Sequence, residues 1–159
     1  MSHEPRAQST SLTEMTEYVL PQHANALGNV FGGQIMAWID LCAAITAQRY
    51  CGRMAVTAFV DDLQFVRPVR VGEVVRLEAR VTAAFRTSVE IEVIVHGERA
   101  MTGERWLCVD ALLTFVAIDE HGKPTAVPPL ALDDDKVRAS QAAGEERRAA
   151  RLSKRATPA

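Results

Sequence analysis

Nothing in this chain supplies a disulfide framework or a metal centre. Its three cysteines, Cys42, Cys51 and Cys108, form no C-x-x-C pair and no even set, and its four histidines, His3, His23, His96 and His121, show no ligand spacing. The thiols are expected to be reduced and to pack as small apolar groups, with no metal and no cofactor. An excess of one charge is also missing. Lys and Arg number 18 against 20 Asp and Glu, a net charge of −2, which gives no reason to expect nucleic acid or an anionic membrane as partner. The segment before Tyr18 is polar and lacks the apolar stretch of a signal peptide, and the longest apolar run, residues 35–47, is too short to span a bilayer. The expectation is a soluble cytoplasmic protein with one packed domain, for which 159 residues that are 48% hydrophobic suffice.

The periodicity of the chain changes partway along. A weak strand pattern over residues 11–20 stops at Pro21, and a loop rich in Asn and Gly follows, from Asn25 to Gly33. A helix is predicted over about 33–49, with Gly52 just past its end, where a left-handed cap is common. Beyond it the period becomes two. Val75, Leu77, Ala79 and Val81 alternate with Arg76, Glu78 and Arg80, and Val89, Ile91, Val93 and Val95 alternate with Ser88, Glu90 and Glu92, so each strand has one wet face. The short connection through Arg86 and Thr87 makes these two a hairpin. Strands are also predicted at 56–66 and 106–118, the first with its apolar phase slipping at Asp61-Asp62 as at a β-bulge. One apolar helix and a closely connected antiparallel sheet imply an α+β fold, a curved antiparallel sheet wrapped around one long central helix. So few strands leave open edges, and pairing with a second copy is the natural remedy. From Ala131 the composition turns charged, and 131–159 is expected to be a disordered tail or a solvated helix over about 134–154, with a partner contact as the alternative.

Within the apolar run, Asp40 is the only charge. A helix that is apolar all round is normally wrapped by its protein, so Asp40 is expected where water is scarce. A buried ion pair, capping of backbone groups or a wet helix face would each explain it, and so would catalysis. Gly32 and Gly33 precede it by about two turns, where free N–H groups point out of the helix and its dipole favours negative charge. Such a helix start could polarise a carbonyl and hold the oxyanion formed on attack, while Asp40 activates water and Asn25 orients water or carbonyl through its amide.

The stretch Pro21-Gln22-His23-Ala24-Asn25-Ala26-Leu27-Gly28-Asn29-Val30-Phe31, with Gly33 and Trp38-Ile39-Asp40, resembles the signature of hotdog-fold acyl-CoA thioesterases of the bacterial YciA and brain acyl-CoA hydrolase type. Val56-Thr57, Phe65-Val66-Arg67-Pro68-Val69 with Gly72, Arg86-Thr87-Ser88, Phe115-Val116-Ala117, Gly122-Lys123-Pro124 and Val127-Pro128 agree in order and spacing. The resemblance implies a hotdog domain over 9–130, homodimers that join their sheets, often as trimers of dimers, and hydrolysis of fatty acyl-CoA to free acid and coenzyme A. It also implies that Asn25 of one protomer works with Asp40 of its partner. The tail lies outside it. Coenzyme A carries phosphates, and Arg67, Arg86, Thr87 and Ser88, at strand ends or in the hairpin, are the candidates to bind it. A hotdog hydroxyacyl-thioester dehydratase with His23 as base, and a non-catalytic acyl-CoA sensor, are the competing expectations.

Overall fold

A computed structural model describes residues 4–156; His3 and tail residues 157–159 lie outside the described residues. The elements run β1 (Thr13–Tyr18), α1 (Gly32–Cys51), β2 (Ala55–Phe65), β3 (Val74–Ala84), β4 (Ser88–Glu98), β5 (Arg105–Ala117) and α2 (Asp135–Ala156). All strand pairs are antiparallel and the sheet order is β1-β3-β4-β5-β2. This is the hotdog arrangement expected from the sequence.

The alternating strands turn Leu77, Ile91, Val93 and Phe115 to one face, where they meet Ile35, Ile39, Ala43 and Tyr50 of α1 in the core. Each fully buried side chain of this size contributes roughly 1.5–3 kcal/mol. The helix stops at Gly52, whose φ of +67° lets its N–H reach back to the Gln48 carbonyl at 2.8 Å. The slip at Asp61-Asp62 is real: β2 loses register against β5 between Thr57 and Phe59 and again between Val60 and Asp62.

Two expectations need correction. First, α1 is not enclosed on every side. Met36, Leu41 and Ile45 are exposed, and so are Val56, Phe59, Val60 and Phe65 of β2, whose outer edge has no strand beside it among the described residues. Hydropathy cannot distinguish a side chain buried in its own core from one reserved for another surface, so the all-apolar helix overstated its burial. Asp40 lies on this open face and is exposed.

Second, the charged tail is neither disordered nor a lone solvated helix over its described part. Asp134 caps α2 by accepting the Val137 N–H at 2.9 Å, and the helix docks on the outer face of the sheet. There Arg147 donates to both carboxylate oxygens of Glu90, at 2.9 and 2.6 Å, and Thr82 donates to the same carboxylate at 2.7 Å. Glu90, assigned to a wet face by its alternation, is 0% exposed. Gln141 bonds both the N–H and the carbonyl of Ala84, Ser140 bonds the Thr82 carbonyl, and Arg151 grips Asp61 at the β2 bulge at 2.7 and 3.0 Å. A side chain at Gly144 would put its Cβ 2.4 Å from that of Ala83, so glycine sets how closely the helix approaches.

Candidate active site

The loop ahead of α1 is folded around Asn25. Its side-chain carbonyl accepts the N–H groups of Leu27 and Asn29 at 3.0 and 3.2 Å, and its backbone N–H pairs with the Asn29 carbonyl at 2.8 Å. Two backbone donors fix the carboxamide's orientation, leaving its NH₂ turned away from the loop. Of the two functions read from the sequence, the acceptor is used within the loop, and the NH₂ donor has no partner among the described residues.

The helix start follows directly. The Phe31 N–H is taken by the His23 carbonyl, and the Gln34 and Ile35 N–H groups reach the Phe31 carbonyl, whereas those of Gly32 and Gly33 find no acceptor among the described residues. A side chain at either glycine would crowd an aromatic ring. A Cβ on Gly33 would meet the Phe31 ring at 2.8 Å, and one on Gly32 the Phe65 ring at 3.3 Å. Two donors without an acceptor among the described residues, at the positive end of a twenty-residue helix, have the chemistry to stabilise a developing negative charge. Beside them opens a pocket of about 200 Å³ whose polar lining is Asn25, Asn29, Gly32 and Arg67 and whose apolar lining includes Val30, Ile35, Phe65 and Cys108.

Asp40 does not line this pocket. It sits two turns further along α1, roughly 12 Å on at 1.5 Å per residue, and its Oδ1 accepts the Thr57 hydroxyl of β2 at 2.5 Å. Thr57 was missed as a site residue, although the strand pattern puts a hydroxyl on the helix side of β2, where it can meet the only acid of α1. Thus α1 and β2 run in opposite directions. Gly32 is beside Phe65 at the end of β2, and Asp40 is beside Thr57 near its beginning.

The four residues proposed for coenzyme A are not brought together in one protomer. Arg67 follows β2, with its guanidinium 4.6 Å over the Trp106 ring and 3.8 Å from Glu104. Arg86, Thr87 and Ser88 turn β3 into β4 at the other end, where the Thr87 carbonyl accepts the Ala117 N–H and Ser88 pairs with Val116. Since β2 starts opposite Ala117 and ends opposite Val109, its length separates the two groups by about 30 Å.

His23 has a structural role. Its Nδ1 accepts the Leu20 N–H at 3.0 Å and its ring stands edge-on to Trp38 at 5.0 Å, so that nitrogen is not free for the base chemistry a dehydratase would need. The three cysteines are buried and unpaired, and burial pushes each thiol up to about 11.

A curved antiparallel sheet on one long helix, with free N–H groups at the helix start and a carboxylate further along it, is a hotdog fold with an open site at the helix start. The family model of the thioesterase superfamily matches residues 27–104. The uncharacterized acyl-CoA thioester hydrolase YkhA of Bacillus subtilis is 42% identical over 79% of this chain and 73% of its own. Among solved structures, a hexameric acyl-CoA thioesterase superposes with a TM-score of 0.91 at 36% identity, covering 98% of this chain and 99% of that one. An acyl-CoA hydrolase of Staphylococcus aureus, in complex with butyryl coenzyme A, superposes with a TM-score of 0.85 at 33% identity, covering 94% of this chain and 92% of that one. Variants of that hydrolase with an aspartate, an asparagine or a threonine replaced by alanine have also been solved. The chain belongs to the thioesterase superfamily, in its acyl-CoA thioester hydrolase family of the YciA and brain acyl-CoA hydrolase type.

Proposed function

We propose that this protein hydrolyses acyl-CoA to free acid and coenzyme A at a site shared by two protomers. The opposed directions of α1 and β2 carry the proposal. One end of the open β2 edge holds Asn25, Gly32 and Arg67, and the other holds Asp40, Thr57 and the Arg86-Thr87-Ser88 turn. Antiparallel pairing of two β2 strands about a two-fold axis, over the exposed Val56, Phe59, Val60 and Phe65, brings unlike ends together. Each pocket then faces a carboxylate it lacks alone, and Arg67 faces Arg86, Thr87 and Ser88 of the second copy's hairpin. Three such dimers give the hexamer that one of its structural neighbours forms.

In this arrangement the thioester carbonyl accepts hydrogen bonds from the Gly33 and Gly32 N–H groups, and the Asn25 NH₂ donates to the attacking water or the carbonyl. Asp40, held by Thr57, takes a proton from water as its oxygen bonds to the carbonyl carbon. The tetrahedral oxyanion collapses, the C–S bond breaks, and the proton on Asp40 passes to the departing thiolate. Direct attack by Asp40, forming an anhydride that water then cleaves, is the competing route. The substituted asparagine, aspartate and threonine of the S. aureus hydrolase have the same separations along that chain as Asn25, Asp40 and Thr57 have here, which supports giving all three a place in the site. Three buried free thiols suit a reducing compartment, the cytoplasm.

Thiol release measured over a series of acyl chain lengths tests the proposal. Wild type is expected to turn over, and Asp40→Asn to lose about 100-fold or more in kcat with acyl-CoA binding retained. An unimpaired Asp40→Asn enzyme contradicts the assignment, and saturable acyl-CoA binding by wild type without thiol release indicates a sensor instead.

A further inference from the structure

We propose that Trp106 is a positioning residue, holding Arg67 at the mouth of the Asn25–Gly32 pocket where the diphosphate arm of a CoA thioester leaves it. The inference rests on the two-protomer thioesterase site proposed above and adds a residue that the sequence does not single out.

Three fixtures hold the indole. In register, Trp106 of β5 lies opposite Gly97 of β4, and a Cβ on Gly97 would fall 2.4 Å from Cε2 and Nε1 of the ring, so only glycine admits the indole there. The indole Nε1–H donates to the Pro68 carbonyl at 3.1 Å, tying the chain just beyond β2 to the start of β5. Pro68 in turn restricts Arg67, the residue before it, to extended backbone. The result is a tryptophan 8% exposed with its N–H satisfied, as a buried indole requires.

Its ring face is what remains in use. The Arg67 guanidinium stacks on it at 4.6 Å and that of Arg99 lies 5.6 Å away. Arg67 lines the pocket and Trp106 does not, so the indole acts on a ligand only through the arginine. A free arginine loses several turning bonds when it grips a phosphate, whereas one already laid on an indole has lost them beforehand. Glu104, 3.8 Å from Arg67 and half exposed like it, is a weak competitor that a bidentate phosphate contact displaces.

The test compares butyryl-CoA with S-butyryl pantetheine, which ends before the diphosphate, using wild type, Trp106→Leu, Trp106→Phe, Arg67→Met and the double variant Arg67→Met/Trp106→Leu. Trp106→Leu is expected to raise KM for butyryl-CoA about fivefold with little change in kcat. Its KM for the pantetheine thioester stays at the wild-type value, and it adds nothing to Arg67→Met. Trp106→Phe, which keeps an aromatic face and loses the N–H, falls between, and it carries the comparison if the leucine variant does not fold. Equal losses on both substrates, full additivity with Arg67→Met, or an unchanged KM overturns the role of Trp106 while leaving the thioesterase site standing. A wild type that releases thiol from neither substrate overturns both proposals.

Discussion

At the scale of single residues, Asp40 owes its place to Thr57 and to an open face, not to a dry core. Apolar neighbours made it look buried, but those neighbours, Met36, Leu41 and Ile45, are themselves exposed. Among the groups withheld from water are the three thiols. Burial raises Cys42, Cys51 and Cys108 from 9.0 to about 11, which sets the sign of an alkaline effect. Below pH 9 the thiols are neutral whether the chain is folded or not and cost nothing. Between pH 9 and 11 the unfolded thiols ionise while the folded ones stay neutral, so stability falls by up to about 1.4 kcal/mol per pH unit for each thiol. Urea denaturation followed from pH 8 to pH 10.5 is expected to show a steadily falling midpoint that Cys108→Ala makes less steep; a midpoint independent of pH contradicts this. The same burial keeps the protein's own thiols silent in a thiol-release assay run near neutrality.

At the scale of elements, the strands and α1 were legible because each carries a hydropathic period matched to one face. The α2 docking was not legible, because it uses no apolar stripe. Arg147, Arg151, Gln141 and Ser140 do the docking, and Gly144 is the notch that lets the helix come close. In a sequence these residues resemble a solvated helix, and Glu90 resembles a wet strand residue until the two are paired. The pair also makes α2 part of the sheet's stability. Hydrogen bonding to Glu90 is the largest of the influences that hold Arg147 more firmly protonated. Replacing Arg147 with Met strands a carboxylate that is fully buried, at a cost of about 3–5 kcal/mol. Chemical denaturation of Arg147→Met should therefore show a large loss, and Glu90→Gln/Arg147→Met should recover part of it. A single variant as stable as wild type would mean that α2 does not cover Glu90 in solution.

At the scale of the whole molecule, the residues that the sequence singled out lie in two groups at opposite ends of β2. Asn25, Gly32 and Arg67 were recognisable from the loop, the helix start and a strand end. Their separation from Asp40 and from Arg86-Thr87-Ser88 depends on α1 and β2 running in opposite directions, which residue spacing alone does not reveal. Thr57, noted only as part of the resemblance, and the Gly97–Trp106 pair were given no role for a related reason, since each gains meaning only from the strand or helix placed beside it. On the proposed reading, a protomer with half a site at each end of an open edge works only as a pair. Mixing two inactive variants, Asn25→Ala and Asp40→Asn, tests this most directly. Random exchange of protomers makes half the dimers mixed, and each mixed dimer has one of its two sites intact, so thiol release should return to about a quarter of the wild-type rate. Mixed dimers that form, verified by mass, and yet stay inactive would contradict a site shared between protomers.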